Sequence, residues 1–114
     1  MTAKEWLEKT LPEAKEIGGY GRYYRDNRPR AVCADGFSVS IQGNTNSHYC
    51  SPRDVSYGGV PYEVELGYPS TSDPLIANYA EDKDRPTGTV YGYVPIDIVE
   101  ELIAKHGGIT GGIK

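Results

Sequence analysis

The residues best suited to chemistry are concentrated in one short segment, NSHYCSPRD at positions 46–54. His48, Cys50 and Arg53 supply a base, a thiol and a guanidinium, and Tyr49 adds an aromatic ring. Residues two apart on a β-strand share a face, so His48 and Cys50 could meet if this segment is extended. The segment is therefore a candidate for nucleophilic catalysis, for metal binding or for ligand recognition.

Catalysis and metal binding have the weaker case. A catalytic thiol needs a base and an orienting group, and such partners usually come from distant parts of a chain. His106 follows a predicted helix, where the negative end of the helix dipole favours a capping role. A zinc site would need Cys33, His48 and Cys50, with His106 as an optional fourth ligand, yet no Cys-x-x-Cys pair is present. We expect no catalytic residue, no metal and no cofactor, and we keep a Cys50-dependent enzyme as an alternative.

Recognition of a small anionic, nucleotide-like ligand uses more of these residues. Arg53 follows Pro52, which restrains the backbone, and a guanidinium binds phosphate through paired hydrogen bonds. Tyr49 offers a stacking face, while His48 and Gln42 offer directional hydrogen bonds to a base or sugar. Two arginines from the Gly-rich stretch upstream could close over the ligand, which completes the candidate set: Arg53, His48, Tyr49, Gln42, Arg22 and Arg25.

The charge distribution leaves two other interpretations open. Residues 18–53 carry five arginines against two aspartates, whereas residues 54–114 carry ten acids against four bases. Arg53 could simply pair with Asp54 or a surface glutamate, and the arginines of 22–30 could form a solvated face. The acidic part could belong to a protein-binding inhibitor that imitates nucleic acid. Salt should then weaken partner capture.

Composition restricts the partners and the location. A net charge of -4 and a pI of about 5.1 argue against general affinity for nucleic acid or anionic membrane. No apolar run approaches the roughly 20 residues of a membrane span, and residues 1–17 are charged throughout, unlike a signal peptide. We expect a cytoplasmic protein with Cys33 and Cys50 as reduced, partly buried thiols, although a disulfide remains open. The ten tyrosines suit pockets or subunit interfaces, where a ring can be buried while its hydroxyl meets water. We therefore also expect a homo-oligomer.

Local patterns predict the elements that position these residues. A capping box at Thr2 and Glu5 predicts a helix at about 3–10, and residues 18–30 read as irregular. RAVCADGFSVSIQ predicts a hairpin in which Asp35 and Gly36 both adopt positive φ, with HYC (48–50) at a strand end. In YEVEL, alternation places Tyr62, Val64 and Leu66 inward and Glu63 and Glu65 outward. A short helix after Pro74, a strand TGTVYGYV and a helix starting at Pro95, with a buried stripe of Ile96, Val99 and Ile103, complete the series.

This order predicts an α+β fold: a small antiparallel sheet with a C-terminal helix and one or two short helices packed on it. We expect a single domain over residues 1–114. Residues 1–30 would hold the N-terminal helix and the Arg/Gly-rich segment, residues 31–109 the core, and residues 110–114 a frayed tail.

Four segments carry a resemblance: GFSVSIQ, SHYCSPR, YEVELGYPS and PTGTVYGYVPIDIVEELIAKHGG, in this order. Over residues 35–109 they resemble a small protein that recurs in phages of Gram-positive bacteria. Phage proteins of this size often antagonise host defence, and the chain is similar in size and α+β make-up to the Thoeris anti-defence sponge proteins. The resemblance implies an oligomer in the infected cell that sequesters a cyclic nucleotide signal without cleaving it. It assigns no ligand-binding residue here. A host defence protein is the alternative partner, as for an anti-CRISPR inhibitor.

Overall fold

The computed structural model describes residues 1–11, 14–16, 22–24, 28–45, 47–53 and 59–113, with the backbone alone for 14–16 and 22–24. The fold is α+β, as the sequence predicts. In chain order the elements are α1 (Ala3–Lys9), β1 (Ala14–Glu16), β2 (Arg22–Tyr24), β3 (Arg30–Cys33), β4 (Ser38–Gln42), β5 (Glu63–Gly67), a 3-10 turn (Ala77–Tyr79), β6 (Val90–Pro95), α2 (Ile96–Lys105) and β7 (Ile109–Ile113).

Five strands form one antiparallel sheet in the order β6-β5-β4-β3-β7, and β1 pairs with β2 separately. β6 and β7 are consecutive strands at opposite edges, so the chain between them must cross the sheet. Four strand spacings amount to about 19 Å. The ten residues of α2 span about 15 Å, and a short turn completes the distance. α2 therefore lies across one face of the sheet and covers it.

The core lies between this face and the two helices. Alternate residues of the central strands, such as Val39, Ile41 and Leu66, are fully buried there. α1 begins with the predicted capping box, in which the Thr2 hydroxyl accepts from the Glu5 nitrogen and the Glu5 carboxylate accepts from the Thr2 nitrogen. The buried side of α2 consists of Val99, Leu102 and Ile103, with Ile96 only partly buried.

Several local predictions need correction. In the β3–β4 hairpin only Gly36 has positive φ, at 93°, and Asp35 does not. The Gly36 nitrogen donates to the Cys33 oxygen, so the turn is a three-residue loop closed by a left-handed glycine. The stretch 18–30, expected to be irregular, contains β2, and its remaining positions below 28 lie outside the described residues. The helix expected after Pro74 is reduced to a single 3-10 turn.

The C-terminal stretch is also different from the expectation. Residues 110–113 do not fray: they belong to β7, which pairs antiparallel with β3 from Arg30 opposite Ile113 to Cys33 opposite Ile109. Gly107 and Gly108, with φ of 89° and 86°, turn the chain from α2 into this strand. The sequence ITGGI gives no local strand signal, because glycine disfavours strands. Pairing with β3 overrides that preference.

Within the described residues, none of the helices is long and apolar enough to cross a membrane.

Gly112 is a position where the core admits no side chain. A Cβ there would lie 2.5 Å from Cη2 of Trp6, whereas a Cβ on Gly111 meets nothing within 4 Å. We expect Gly112→Ala to lower the free energy of unfolding by about 1–3 kcal/mol through overpacking, measured by urea denaturation. Gly111→Ala is the matched control, with an expected change within about 0.5 kcal/mol. Equal stability of the two variants would contradict this account of how β7 packs on α1.

Candidate functional site

The 46–54 segment lies on the sheet face opposite the core. Ile41 and Leu66 face each other within the core, so the next pair, Gln42 and Glu65, projects from the other face. The segment is not a strand, as HYC was expected to be. Its backbone is tied to the sheet at Ser51, which forms a β-bridge with Glu63.

Glu65 is the centre of this face, and the sequence pattern misassigned it. The alternation placed Glu65 in solvent, but its side chain is only 11% exposed. One carboxylate oxygen lies 3.0 Å from Nδ1 of His48, and the other accepts a 3.0 Å hydrogen bond from the Tyr49 nitrogen. A loop covers this face, which no local pattern reveals. Tyr62, expected inward, is instead 61% exposed.

Tyr49 forms an exposed aromatic pair with Tyr93. The ring centroids are 5.9 Å apart at 45°, and the residues are 43% and 41% exposed. The Tyr93 nitrogen donates to the Tyr49 oxygen at 3.0 Å. Gly92 allows this approach, because a Cβ there would lie 3.2 Å from Cβ of Tyr49. We call Tyr49 and Tyr93 the tyrosine pair.

An irregularity in β6 aims Tyr93 at its partner. Val64 pairs with Val94 and Leu66 with Tyr91, so Glu65 alone faces two residues of β6. Such bulges redirect side chains, and here Tyr93 adopts φ of 52°, which is uncommon for a residue other than glycine. The sequence holds a signal for this feature, since an isolated glycine within a strand pattern indicates a bulge. Tyr93 was nevertheless absent from the predicted site.

The remaining candidate residues lie away from the tyrosine pair or outside the residues that the structure describes. Gln42 is buried, and its side-chain amide donates to the Arg28 oxygen at 3.1 Å and accepts from the Arg28 nitrogen at 3.0 Å. Arg53 is exposed on the segment that follows Ser51. Arg22 lies in β2, where only the backbone is described, and Arg25 is outside the described residues. Closure of these two arginines over a ligand stays a prediction.

Arg28 shows that the arginine-rich stretch is not wholly a solvated face. Arg28 is only 4% exposed, and its guanidinium donates to the carbonyl oxygens of Leu7 and Gly43 at 3.0 and 2.9 Å. It also donates to Oδ1 of Asn44 at 2.8 Å and to the Thr10 hydroxyl at 3.1 Å. Arg28 thus joins α1 to the beginning of the loop that carries the tyrosine pair's first member.

Both cysteines are free, as expected, and they are fully rather than partly buried. The Cys50 thiol donates to the Thr45 oxygen at 3.2 Å, while Nδ1 of His48 faces Glu65. The pKa of Cys33 is raised, first by burial and then by the nearby Asp35. Within the described part of the chain, no three His, Cys, Asp or Glu residues are grouped to hold a metal ion.

A second polar cluster surrounds His106. Its Nδ1 lies 2.7 Å from Oδ2 of Asp35, and its Nε2 lies 3.1 Å from Oδ2 of Asp73. The ring stacks on Phe37 at 4.0 Å. His106 caps α2 as expected, because its backbone nitrogen donates to carbonyl oxygens of the last turn, and its ring joins the end of the helix to two turns. Both ring nitrogens are therefore engaged by carboxylates of the protein.

The two carboxyl groups have lowered pKa values. For Asp35 the main cause is the hydrogen bond from the Phe37 nitrogen, followed by that from His106. Burial raises the pKa of Asp73, but hydrogen bonds from the Leu75 nitrogen, Lys105 and His106 together outweigh it. The ionised carboxylates are therefore the forms that the fold favours.

Comparison with protein-family models, with curated proteins and with solved structures finds no match for this chain.

Glu65 can be tested as the residue that fixes Tyr49. We expect Glu65→Ala to lower the free energy of unfolding by about 1–3 kcal/mol, because the Tyr49 N–H and His48 lose their buried acceptor. Amide hydrogen exchange should also become faster at Tyr93, whose N–H is bonded to the Tyr49 oxygen. Glu63→Ala, two residues away on the same strand, is the control. Unchanged exchange at Tyr93 in Glu65→Ala would show that the pair is held by other contacts.

The His106 cluster predicts how stability depends on pH. A carboxyl group whose folded pKa is lowered contributes stability above its unfolded value, near 3.9 for aspartate, and loses it as the pH falls through the folded value. We expect stability to decline below about pH 4. Asp73→Asn should be less stable at pH 7 and show a shallower acid decline, measured by thermal denaturation across pH. Asp84→Asn, at an exposed position, should retain the wild-type profile. An Asp73→Asn profile parallel to wild type would refute this role.

Proposed function

We propose that this protein is a non-catalytic binder of a small anionic, nucleotide-like molecule, with the tyrosine pair as the platform on which a base stacks. The observation that carries the proposal is the pair itself: two tyrosines, each more than 40% exposed, held by a backbone hydrogen bond, a bulge and a left-handed residue. Local strain of this kind is concentrated at functional sites. Aromatic faces stack bases with a gain of about 1–3 kcal/mol per base.

The charges around the pair are compatible with an anion. Glu65 lies behind Tyr49, but His48 lies against its carboxylate at 3.0 Å and offsets its charge when protonated. Arg53, exposed four residues after Tyr49, supplies a guanidinium for phosphate. Gln42 has no direct part in this proposal, because its amide is bonded to Arg28. Arg22 and Arg25 remain candidates for closing over the ligand.

The biological role within this proposal comes from the resemblance to small phage proteins. The protein would act in the cytoplasm of an infected bacterium, as a homo-oligomer, and would sequester a nucleotide signal of host defence. Binding without hydrolysis is sufficient for such a role. It needs no metal and no catalytic base.

A second candidate is an inhibitor that binds a host defence protein through an acidic surface. The observation in its favour is a set of exposed carboxylates on the loop before β6 and on α2: Glu81, Asp82, Asp84, Asp97 and Glu101. Capture of such a partner should weaken strongly as salt is raised. Capture that is indifferent to salt would contradict this candidate.

Native mass spectrometry of the protein purified from bacteria, before and after denaturation, tests the principal proposal. We expect an intact nucleotide among the released molecules, or binding of one member of a panel of cyclic mononucleotides and dinucleotides in calorimetry. Tyr49→Ala and Tyr93→Ala should each weaken that binding about tenfold to a hundredfold, as the loss of stacking implies. Arg53→Ala should abolish binding without unfolding the protein.

Tyr62→Ala is the matched control, because Tyr62 is more exposed than either member of the pair and lies outside it. Its affinity should equal that of the wild type. Full binding by Arg53→Ala would overturn the phosphate assignment, and full binding by both tyrosine variants would overturn the platform.

A further inference from the structure

The two edges of the five-stranded sheet differ in how their backbone groups are covered. Along β6, the Val90 oxygen accepts from the Glu81 nitrogen at 2.9 Å, and the Tyr93 nitrogen donates to the Tyr49 oxygen. Along β7, the nitrogen and oxygen of Ile109 both bond to Met1, at 2.8 and 2.6 Å. Beyond Ile109, no backbone group of the described chain bonds to the outer side of β7.

Among the described residues, this part of β7 lacks the usual protection of an edge. Proteins protect exposed edges with charges, prolines or covering segments, because unpaired backbone groups recruit another strand. ITGGI contains neither a charge nor a proline, and its last residue, Ile113, is 61% exposed. A strand with these properties is suited to pairing with another strand.

The side chains of β7 are self-complementary. The Cβ position of Gly112 points at Trp6, so Gly111 and Ile113 project from the opposite face of the sheet. In an antiparallel pair of two β7 strands centred on Gly112, Ile113 of each copy lies directly opposite Gly111 of the other. A Cβ on Gly111 would meet nothing within 4 Å, so there is space for the isoleucine. The same contact occurs twice, as a two-fold interface requires.

We propose that the edge of β7 is the interface for a second copy of this chain, which joins the two sheets into one continuous antiparallel sheet. The tyrosine pair lies at the other side of the sheet and remains accessible in this dimer. The inference does not depend on the proposed ligand, and its test measures mass and register rather than nucleotide binding.

Light scattering after size-exclusion chromatography gives the first test. The wild type should have twice the 12.5 kDa mass of one chain. Gly111→Lys should halve that mass without lowering the melting temperature, because the new side chain has room and places a charge on the edge. Ile113→Lys should do the same. Thr87→Lys, at an exposed position in the loop before β6, should remain dimeric.

Crosslinking tests the register. Directly opposite residues in a sheet are close enough for a disulfide, whereas diagonal neighbours are about 7–8 Å apart. Under mild oxidation, a mixture of Gly111→Cys and Ile113→Cys should give a crosslinked dimer far more readily than either variant alone. Cys33 and Cys50 are at most 2% exposed and should not compete. A monomeric wild type, a dimer that survives both lysine variants, or equal crosslinking in all three samples would overturn the proposal.

Discussion

A charged guanidinium held out of water is the interaction on which the site depends most. Burying a charge is costly unless its donors are satisfied, and Arg28 satisfies them with oxygens from two separate parts of the chain. Leu7 and Thr10 belong to α1 and its C-terminal end, and Gly43 and Asn44 open the loop that crosses the outer sheet face. Truncating the guanidinium would leave these carbonyl oxygens without donors and separate the helix from the loop. The conformation of the loop is thereby linked to the packing of α1.

Beyond the contacts with Arg28, the loop is fixed at a second point by Glu65. The carboxylate bonds the Tyr49 nitrogen and faces His48, and the bulge opposite Glu65 turns Tyr93 outward. The bulge in the pairing of β5 with β6 therefore affects both members of the tyrosine pair. It leaves Glu65 facing two residues of β6, and it gives Tyr93 its left-handed backbone. The exposed rings result from buried polar contacts behind them.

Features that depend on neighbouring residues alone could be predicted from the sequence. The capping box at Thr2 and Glu5 and the helix after Pro95 are of this kind, since hydrogen bonding and periodicity within one element define them. The burial of Glu65 and the formation of β7 depend instead on residues that are distant in the chain. Alternation tells which side chains share a face, but whether that face is wet depends on a loop from elsewhere in the chain. A glycine-rich strand has almost no local preference, so its structure comes from its neighbour.

His106 illustrates the same limit in the site. Its position after a helix correctly predicted that it caps α2, but the two carboxylates that its ring faces, those of Asp35 and Asp73, come from distant turns and no local pattern reveals them. Of the predicted site residues, Tyr49 and His48 do lie together on one loop. Gln42 is adjacent in the sheet but is engaged by Arg28. The partner ring, Tyr93, comes from a strand more than 40 residues later, and only Gly92 signals it.

The pairing of β7 with β3 has a consequence for how the chain reaches this structure. The Thr110 hydroxyl bonds to the Val32 oxygen across 78 residues, whereas the β3–β4 hairpin closes a loop of a few residues. Chain entropy opposes contacts between distant residues, and folds rich in them form slowly. We expect the hairpin to acquire hydrogen-exchange protection during refolding before β7 does, and simultaneous protection would contradict this order. Until β7 has paired, β3 is itself an open edge and Trp6 has not yet packed against Gly112. The partly formed sheet is vulnerable to aggregation at that stage.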